Sequence, residues 1–172
     1  MKLPPAFAEP GDNVANVIIE TPKATGNKYK YDAESGLFKL SRILPEGMVF
    51  PLHFGFIPHT AAQDGDPVDA LVLMDEAAYP GCLIECRLLG VIEATQTEGS
   101  ETTRNDRIIT AALQSRRYAT VTSIKELEKQ FIDDLTGFFA AYNKMDKITF
   151  TPLGVKGPSA AARLIRAHIS RK

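Results

Sequence analysis

The chain has 172 residues and a formal net charge of −1, with 44% hydrophobic and 24% charged residues. That length suits one domain with a sizeable core, and the balanced charge leaves no basic footprint for nucleic acid or anionic lipid. No apolar run approaches the ~20 residues of a membrane helix, and the opening MKLPPAFAEPGD lacks the continuous apolar stretch of a secretory signal.

In chain order, residues 1–13 read as irregular, and VANVIIE (14–20) as a β-branched, apolar strand. KYKYD (28–32) and LFKLSRI (37–43) flank Ala33-Glu34-Ser35-Gly36, which carries Gly in the position a hairpin turn favours. GMVF (47–50) reads as a further short strand. A long loop rich in Pro, Gly and His follows, in which His53 and His59 read as loop hydrogen-bonders, and then the strand VDALVLM (68–74). After the turn signal Pro80-Gly81, LIECRLLGVIEAT (83–95) reads as one long strand with a kink or bulge at Gly90. Cys82 and Cys86 lie four apart there and fit neither C-x-x-C nor a zinc ligand pair. They read as two reduced, buried thiols, and a cytoplasmic protein is the default. A polar stretch, 96–106, leads into RIITAAL (107–113). This number of strands with irregular loops suggests a closed or nearly closed antiparallel barrel over 14–113.

The second half changes period. Ser123-Ile124-Lys125-Glu126 has the pattern of a capping box. Ile124, Leu127, Phe131, Leu135, Phe138, Phe139 and Tyr142 then recur at three- and four-residue spacing, which predicts a helix over 123–144. Its aromatic stripe is expected to pack on one face of the barrel. KITFTPL (147–153) reads as a short strand, and SAAARLIRAHIS (159–170) as a second helix, with His168 at its surface. No repeat or internal boundary divides the chain, so one domain over 1–172 is expected.

The chemistry-bearing stretch is DGDPVDA (64–70), which crowds Asp64, Asp66 and Asp69 with no Lys or Arg nearby in sequence. Like charges this close raise each other's pKa unless a cation neutralises them. In an extended stretch residues 64 and 66 point the same way, and the three carboxylates can converge at the mouth of the following strand. Carboxylates are hard ligands of the kind Mg²⁺ or Mn²⁺ takes. By itself the motif fits a solvated turn as well as a metal site.

DGDPVD resembles the signature of the family I soluble inorganic pyrophosphatases, and its surroundings are similar too. The strand ending in Glu20, the N-K-Y-x-Y-D-x-E-S-G hairpin (27–36) and Arg42 on the next strand fit that family. So do P-x-x-F-G-F-I-P-H-T (51–60), PG before a strand ending in GVI (80–92), and F-F-x-x-Y (138–142). The resemblance implies an α+β fold, an OB-like five-stranded antiparallel barrel with two flanking helices. It implies Mg²⁺-dependent hydrolysis of pyrophosphate, with Mn²⁺ as an alternative ion, no nucleic-acid or membrane partner, and a homo-oligomer, a hexamer in bacterial members. Asp64, Asp66 and Asp69 would hold divalent ions and Glu20 an outer one through water. Asp66 would take the proton of the attacking water. Lys28, Arg42 and Arg107 would contact phosphate oxygens, and Tyr142 would donate to the departing phosphate.

The chain departs from the family pattern at the site. Lys30 stands where the family has an acid, and Phe50 and Phe54 replace two tyrosines. Gln96 and Asn105 fall where two acids are expected, Arg107 where a Lys is, and Asn143 follows Tyr142 in place of a Lys. Asp106 and Glu101 are the nearby carboxylates that could substitute as metal ligands. Two other readings follow: a paralogue that binds pyrophosphate or another phosphorylated metabolite with weak or lost activity, and an OB-type nucleic-acid module, against which the charge speaks.

Overall fold

A computed structural model of the protein describes residues 3–8, 11 and 13–170. The expected irregular segment 1–13 therefore lies partly outside the described residues. Among these, the strands are β1 Val14–Thr21, β2 Asn27–Asp32, β3 Leu37–Ile43, β4 His53–Phe56, β5 Asp69–Leu73, β6 Leu83–Glu98, β7 Glu101–Arg104, β8 Arg107–Ala112 and β9 Ile148–Lys156. The helices are α1 Lys129–Lys144, before β9, and α2 Pro158–His168, after it.

β1 pairs with both β4 and β6, β4 with β5, β5 with β8, and β8 with β6. Five strands thus close a ring, which removes the free edges an open sheet would present. Four of these pairings are antiparallel, but β5 and β8 run parallel, a feature the all-antiparallel expectation did not contain. Parallel neighbours need a long crossover, and here β6 and β7 supply it. β7 and β9 extend the outer end of the 16-residue β6. β2 and β3 form a separate hairpin, turned at Gly36 with φ +69°.

β5 is buried on both faces, which is why VDALVL shows no alternation in sequence. Ala70 and Val72 pack with Ala161, Ala162 and Ile165 of α2. Leu71 and Leu73 pack with Leu135, Phe139 and Tyr142 of α1. The stripe anticipated on the long helix is therefore core on the face that meets the barrel.

Several boundaries differ from the expectations: the polar stretch 96–106 holds the end of β6 and all of β7, and β9 runs on to Lys156. The helix begins at Lys129, because Ile124–Glu126 is only one 3₁₀ turn and Leu127 is extended. Ser123 does cap that turn, accepting from the Lys125 N–H, whereas Glu126 accepts from Thr122 and closes no box. GMVF forms no strand, and β4 lies instead in the segment read as loop. Its Gly55 marks close backbone approach, since a Cβ there would sit 2.2 Å from the Ile18 carbonyl oxygen of β1. Cys86 is buried as expected, but Cys82 precedes β6 and is exposed.

The bulge anticipated at Gly90 is present as a register shift in the β6–β8 ladder. A Cβ at Gly90 would meet the Lys156 carbonyl oxygen at 2.3 Å and Ile124 Cγ2 at 2.6 Å. Gly90→Ala is expected to cost about 3 kcal/mol of stability, read as a lower urea midpoint with an unchanged slope. An unchanged midpoint would mean that β9 and the 3₁₀ turn yield to the added methyl.

Candidate active site

A cleft of about 240 Å³ opens where the β2–β3 hairpin, the 64–69 loop, the β8 entrance and the end of α1 meet. Glu20, Lys28, Arg42, Asp64, Asp66, Asp69, Arg107 and Tyr142 all line it. So do the departures Lys30, Phe50, Phe54, Gln96, Asn105 and Asn143. Sequence-distant candidates are thus brought to one place. Asp106 is not among them. Its carboxylate accepts from the Ala94 N–H at 2.9 Å and pairs with Arg104 at 3.0 Å, facing a neighbouring pocket. Glu101 sits at the β6–β7 hairpin, lining a side pocket with Asp64, Gln96 and Glu98.

The acidic loop is a turn rather than the extended stretch anticipated. Gly65 has φ +84°, a conformation glycine adopts without strain. The Ala62 N–H donates to the Asp66 carbonyl, and the Asp66 N–H donates to Asp64 Oδ1 at 3.1 Å. Turn and polar backbone closure together aim Asp64 and Asp66 at the cleft, while Asp69 opens β5 beside them.

Each of the three carboxylates is met by a donor of the chain itself. Lys30 Nζ touches both oxygens of Asp66, at 2.9 and 2.7 Å. Arg107 Nη1 lies 2.5 Å from Asp69. Asn105 Nδ2 donates to Asp64 at 3.2 Å and to Gln96 Oε1 at 2.6 Å, and Asn105 Oδ1 accepts from Arg107. The residues between Gln96 and Asn105 form the β6–β7 hairpin, so the two amides face each other across its base. Burial opposes charge on Lys30, but the Asp66 hydrogen bond and the nearby carboxylates outweigh it and hold the ammonium above the ordinary lysine range.

Aromatic rings floor the cleft. Lys28 Nζ stands 5.2 Å from the Phe54 ring centre and 5.1 Å from that of Tyr142. Arg42 lies over Tyr142, and Arg107 over Phe54 and Phe139. Phe50 packs against Tyr142 at 5.7 Å. Phenylalanine therefore keeps the ring packing at 50 and the cation–π contacts at 54. Arg42 pairs with Asp146, a residue with no sequence signal for the site beyond its place four residues after Tyr142, in the turn that follows α1.

Among the described residues, the buried side-chain polar atoms without a partner are Arg42 Nη1, Arg107 Nε and Asn143 Nδ2. All three are donors on residues that line the cleft. Arg107 and Asn143 are each only 4% exposed. Orphaned buried donors cost free energy, and these three belong to residues that also line the acidic cleft. Asn143 stood out in the sequence only as a missing lysine. The histidines stay outside: His53, buried on β4, accepts from the Lys23 N–H, while His59 contacts the Leu3 carbonyl and His168 that of Leu164.

Glu20 is 7% exposed and accepts from the Tyr31 N–H at 2.6 Å. Burial raises its pKa from the ordinary 4.5 to about 7, against that hydrogen bond. The folded metal-free protein therefore keeps a proton that the unfolded chain releases. This contribution favours folding below pH 4.5 and is lost as pH rises to about 7, by up to about 3 kcal/mol. Glu20→Gln, which keeps the acceptor, is expected to gain on the parent in melting temperature across that window in chelator. A constant difference would place a charged carboxylate at Glu20 throughout.

The donor set suits a hard divalent cation in part. Asp64, Asp66 and Asp69 supply oxygens on one cleft wall, and water would complete the coordination. Among the described residues, however, no three acidic side chains stand close enough to grip an ion as they are placed, because Lys30, Asn105 and Arg107 each hold one of them.

A family model described as inorganic pyrophosphatase matches residues 17–172. An inorganic pyrophosphatase of Synechocystis is 35% identical over 158 residues, covering 92% of this chain and 91% of the relative. The crystal structure of inorganic pyrophosphatase from Thermus thermophilus superposes with a TM-score of 0.86 at 29% identity, covering 97% of this chain and 94% of that one. The Helicobacter pylori enzyme superposes with a TM-score of 0.87 at 28% identity, covering 98% and 97%.

Proposed function

Because the chain belongs to the inorganic pyrophosphatase family, we propose that the acidic cleft is where it hydrolyses pyrophosphate to two phosphates. The observation that carries the assignment to this cleft is its lining, in which four cations stand with Asp64, Asp66 and Asp69. Lys28, Lys30, Arg42 and Arg107 all line this one cavity, and a diphosphate is an acceptor on every face. The relatives favour turnover over a paralogue that only binds.

The division of labour follows from chemistry and position. Asp64, Asp66 and Asp69 would hold Mg²⁺, or Mn²⁺, and buried Glu20 would act behind them through water. When bound, such an ion screens phosphate charge and lowers the pKa of a coordinated water. Asp66 accepts the proton of the attacking water, for which it must be released by Lys30. Lys28, resting on ring faces rather than on a carboxylate, gives a point charge to the phosphoryl oxygens, while Arg42 and Arg107 give planar forks. Tyr142 donates to the departing phosphate, and the Asn143 amide adds a neutral donor beside it.

Family membership also supports a homo-oligomer, with a hexamer as the expectation, and sedimentation of the purified chain tests it. Among the described residues no helix is long and apolar enough to cross a membrane. The reduced cysteines support a cytoplasmic setting. The test of the central reading is phosphate release from pyrophosphate while Mg²⁺ or Mn²⁺ is titrated. Release that rises with the ion supports it, and none at millimolar ion defeats it.

A further inference from the structure

Lys30 sits inside the acidic cluster without being one of the residues that the cluster's chemistry calls for. It comes from β2, 36 residues before Asp66 in the chain, and touches both carboxylate oxygens, as a bound cation would. Its side chain is 48% exposed, so the ammonium is free to pivot and the pair is not locked by packing. Alternation along β2 sends Lys28 and Lys30 to the same side, and both line the cleft.

Charge counting gives the contact its meaning. The cleft is lined by five acids, Glu20, Asp64, Asp66, Asp69 and Asp146, and by four cations, Lys28, Lys30, Arg42 and Arg107. Three of those cations already stand on carboxylates. The fourth wall is neutral, since Gln96 and Asn105 satisfy one another and Asp64 through amide hydrogen bonds. A cleft so balanced does not draw divalent ions as strongly as an uncompensated set of acids would. A diphosphate bringing three to four negative charges nevertheless needs cations, and Lys30, half exposed on Asp66, can pass to it as Lys28 does from its rings.

We infer that Lys30 is a resident cation of the cleft, standing on Asp66 in the resting enzyme and passing to a phosphoryl oxygen of the substrate, so that the loaded site completes itself with one divalent ion fewer than an acid at position 30 would require. The change Lys30→Glu alters the cleft by two charge units, which is the charge of one such ion. The inference rests on the pyrophosphatase reading of the cleft and specifies its ion requirement.

The test counts bound Mn²⁺ by electron paramagnetic resonance, with the whole chain and with methylenediphosphonate as a diphosphate that is not hydrolysed. Wild type, Lys30→Met and Lys30→Glu are compared after circular dichroism shows that all three are folded. Lys30→Glu is expected to hold one more Mn²⁺ per chain than wild type. Lys30→Met is expected to bind methylenediphosphonate at least tenfold more weakly than wild type at equal Mn²⁺, having lost the mobile cation. Equal ion counts in wild type and Lys30→Glu, together with unchanged affinity in Lys30→Met, overturn the inference. Phosphate release by the wild type is measured in parallel. Release together with equal counts and unchanged affinity removes only the role of Lys30, whereas no release removes the pyrophosphatase reading and this inference with it.

Discussion

Asp66→Asn is expected to lower kcat for pyrophosphate by about 10³-fold, the scale of a lost general base. The amide matches the carboxylate in shape, and its remaining oxygen can still accept from Lys30. It carries no charge and takes no proton at neutral pH. Because Lys30 and Asp66 are both about half exposed, losing their ion pair changes stability by under about 1 kcal/mol. A loss of turnover with the melting temperature almost unmoved is therefore the expected signature. Activity retained above a tenth of wild type would shift the proton-accepting role to Asp64 or Asp69, and the matching Asn variants would then locate it. Asp64→Asn also tests the turn, since Asp64 Oδ1 receives the Asp66 N–H, an acceptor that asparagine preserves.

Arg107→Met is expected to be the most destabilising of the site substitutions. The guanidinium is almost wholly buried and lies between Asp69 at 2.5 Å, the Asn105 amide oxygen and the rings of Phe54 and Phe139. Removing one partner from a buried ion pair leaves the other uncompensated, at about 3–5 kcal/mol. Methionine fills most of the volume, so the loss reports charge and hydrogen bonding rather than a cavity. Urea unfolding in chelator measures it. Divalent ions should recover part of the loss, because they neutralise Asp69 in place of the arginine, and the recovery should be larger than in wild type. Equal Mg²⁺ stabilisation of variant and parent would show that Asp69 takes no part in ion binding. Arg107→Lys is expected to fall between the two, restoring charge without the planar guanidinium whose Nη1 meets both Asp69 and Asn105.

The two substitutions bear on different properties of one cleft. Asp66 and Lys30 form its exposed side, an ion pair with both side chains about half open to solvent. Arg107, Asn105 and Gln96 form its buried side, where hydrogen bonds are fixed by the base of the β6–β7 hairpin. The tyrosine-to-phenylalanine changes belong to neither. Phe54 holds cations by its ring face, and a hydroxyl there would add a hydrogen bond of about 1 kcal/mol without altering that contact.

The sequence by itself determined the strands with a clear apolar run, the hairpin at Gly36, the bulge at Gly90 and the identity of the acidic loop. Those features are local: a run of β-branched residues, a glycine at a turn, or charges adjacent in the chain act over a few residues and leave their mark there. Family resemblance then gathered Glu20, Lys28, Arg42, Asp66 and Tyr142, and the cleft does contain them all. Tertiary structure decided what no local pattern carries. β4 was hidden because its glycine answers to β1, a neighbour in space, and the parallel β5–β8 pair follows from ring closure. The helix start moved to Lys129 because Leu127 is extended between the 3₁₀ turn and α1. Asp106 looked like a spare ligand beside Asn105, yet the Ala94 N–H and Arg104 hold it toward a neighbouring pocket. Above all, Lys30 on Asp66, Asn105 on Gln96 and Asp146 under Arg42 are contacts between segments far apart in the chain. Charge neutralisation acts through space over a few ångströms, so which cation meets which carboxylate is settled only once the chain has closed on itself.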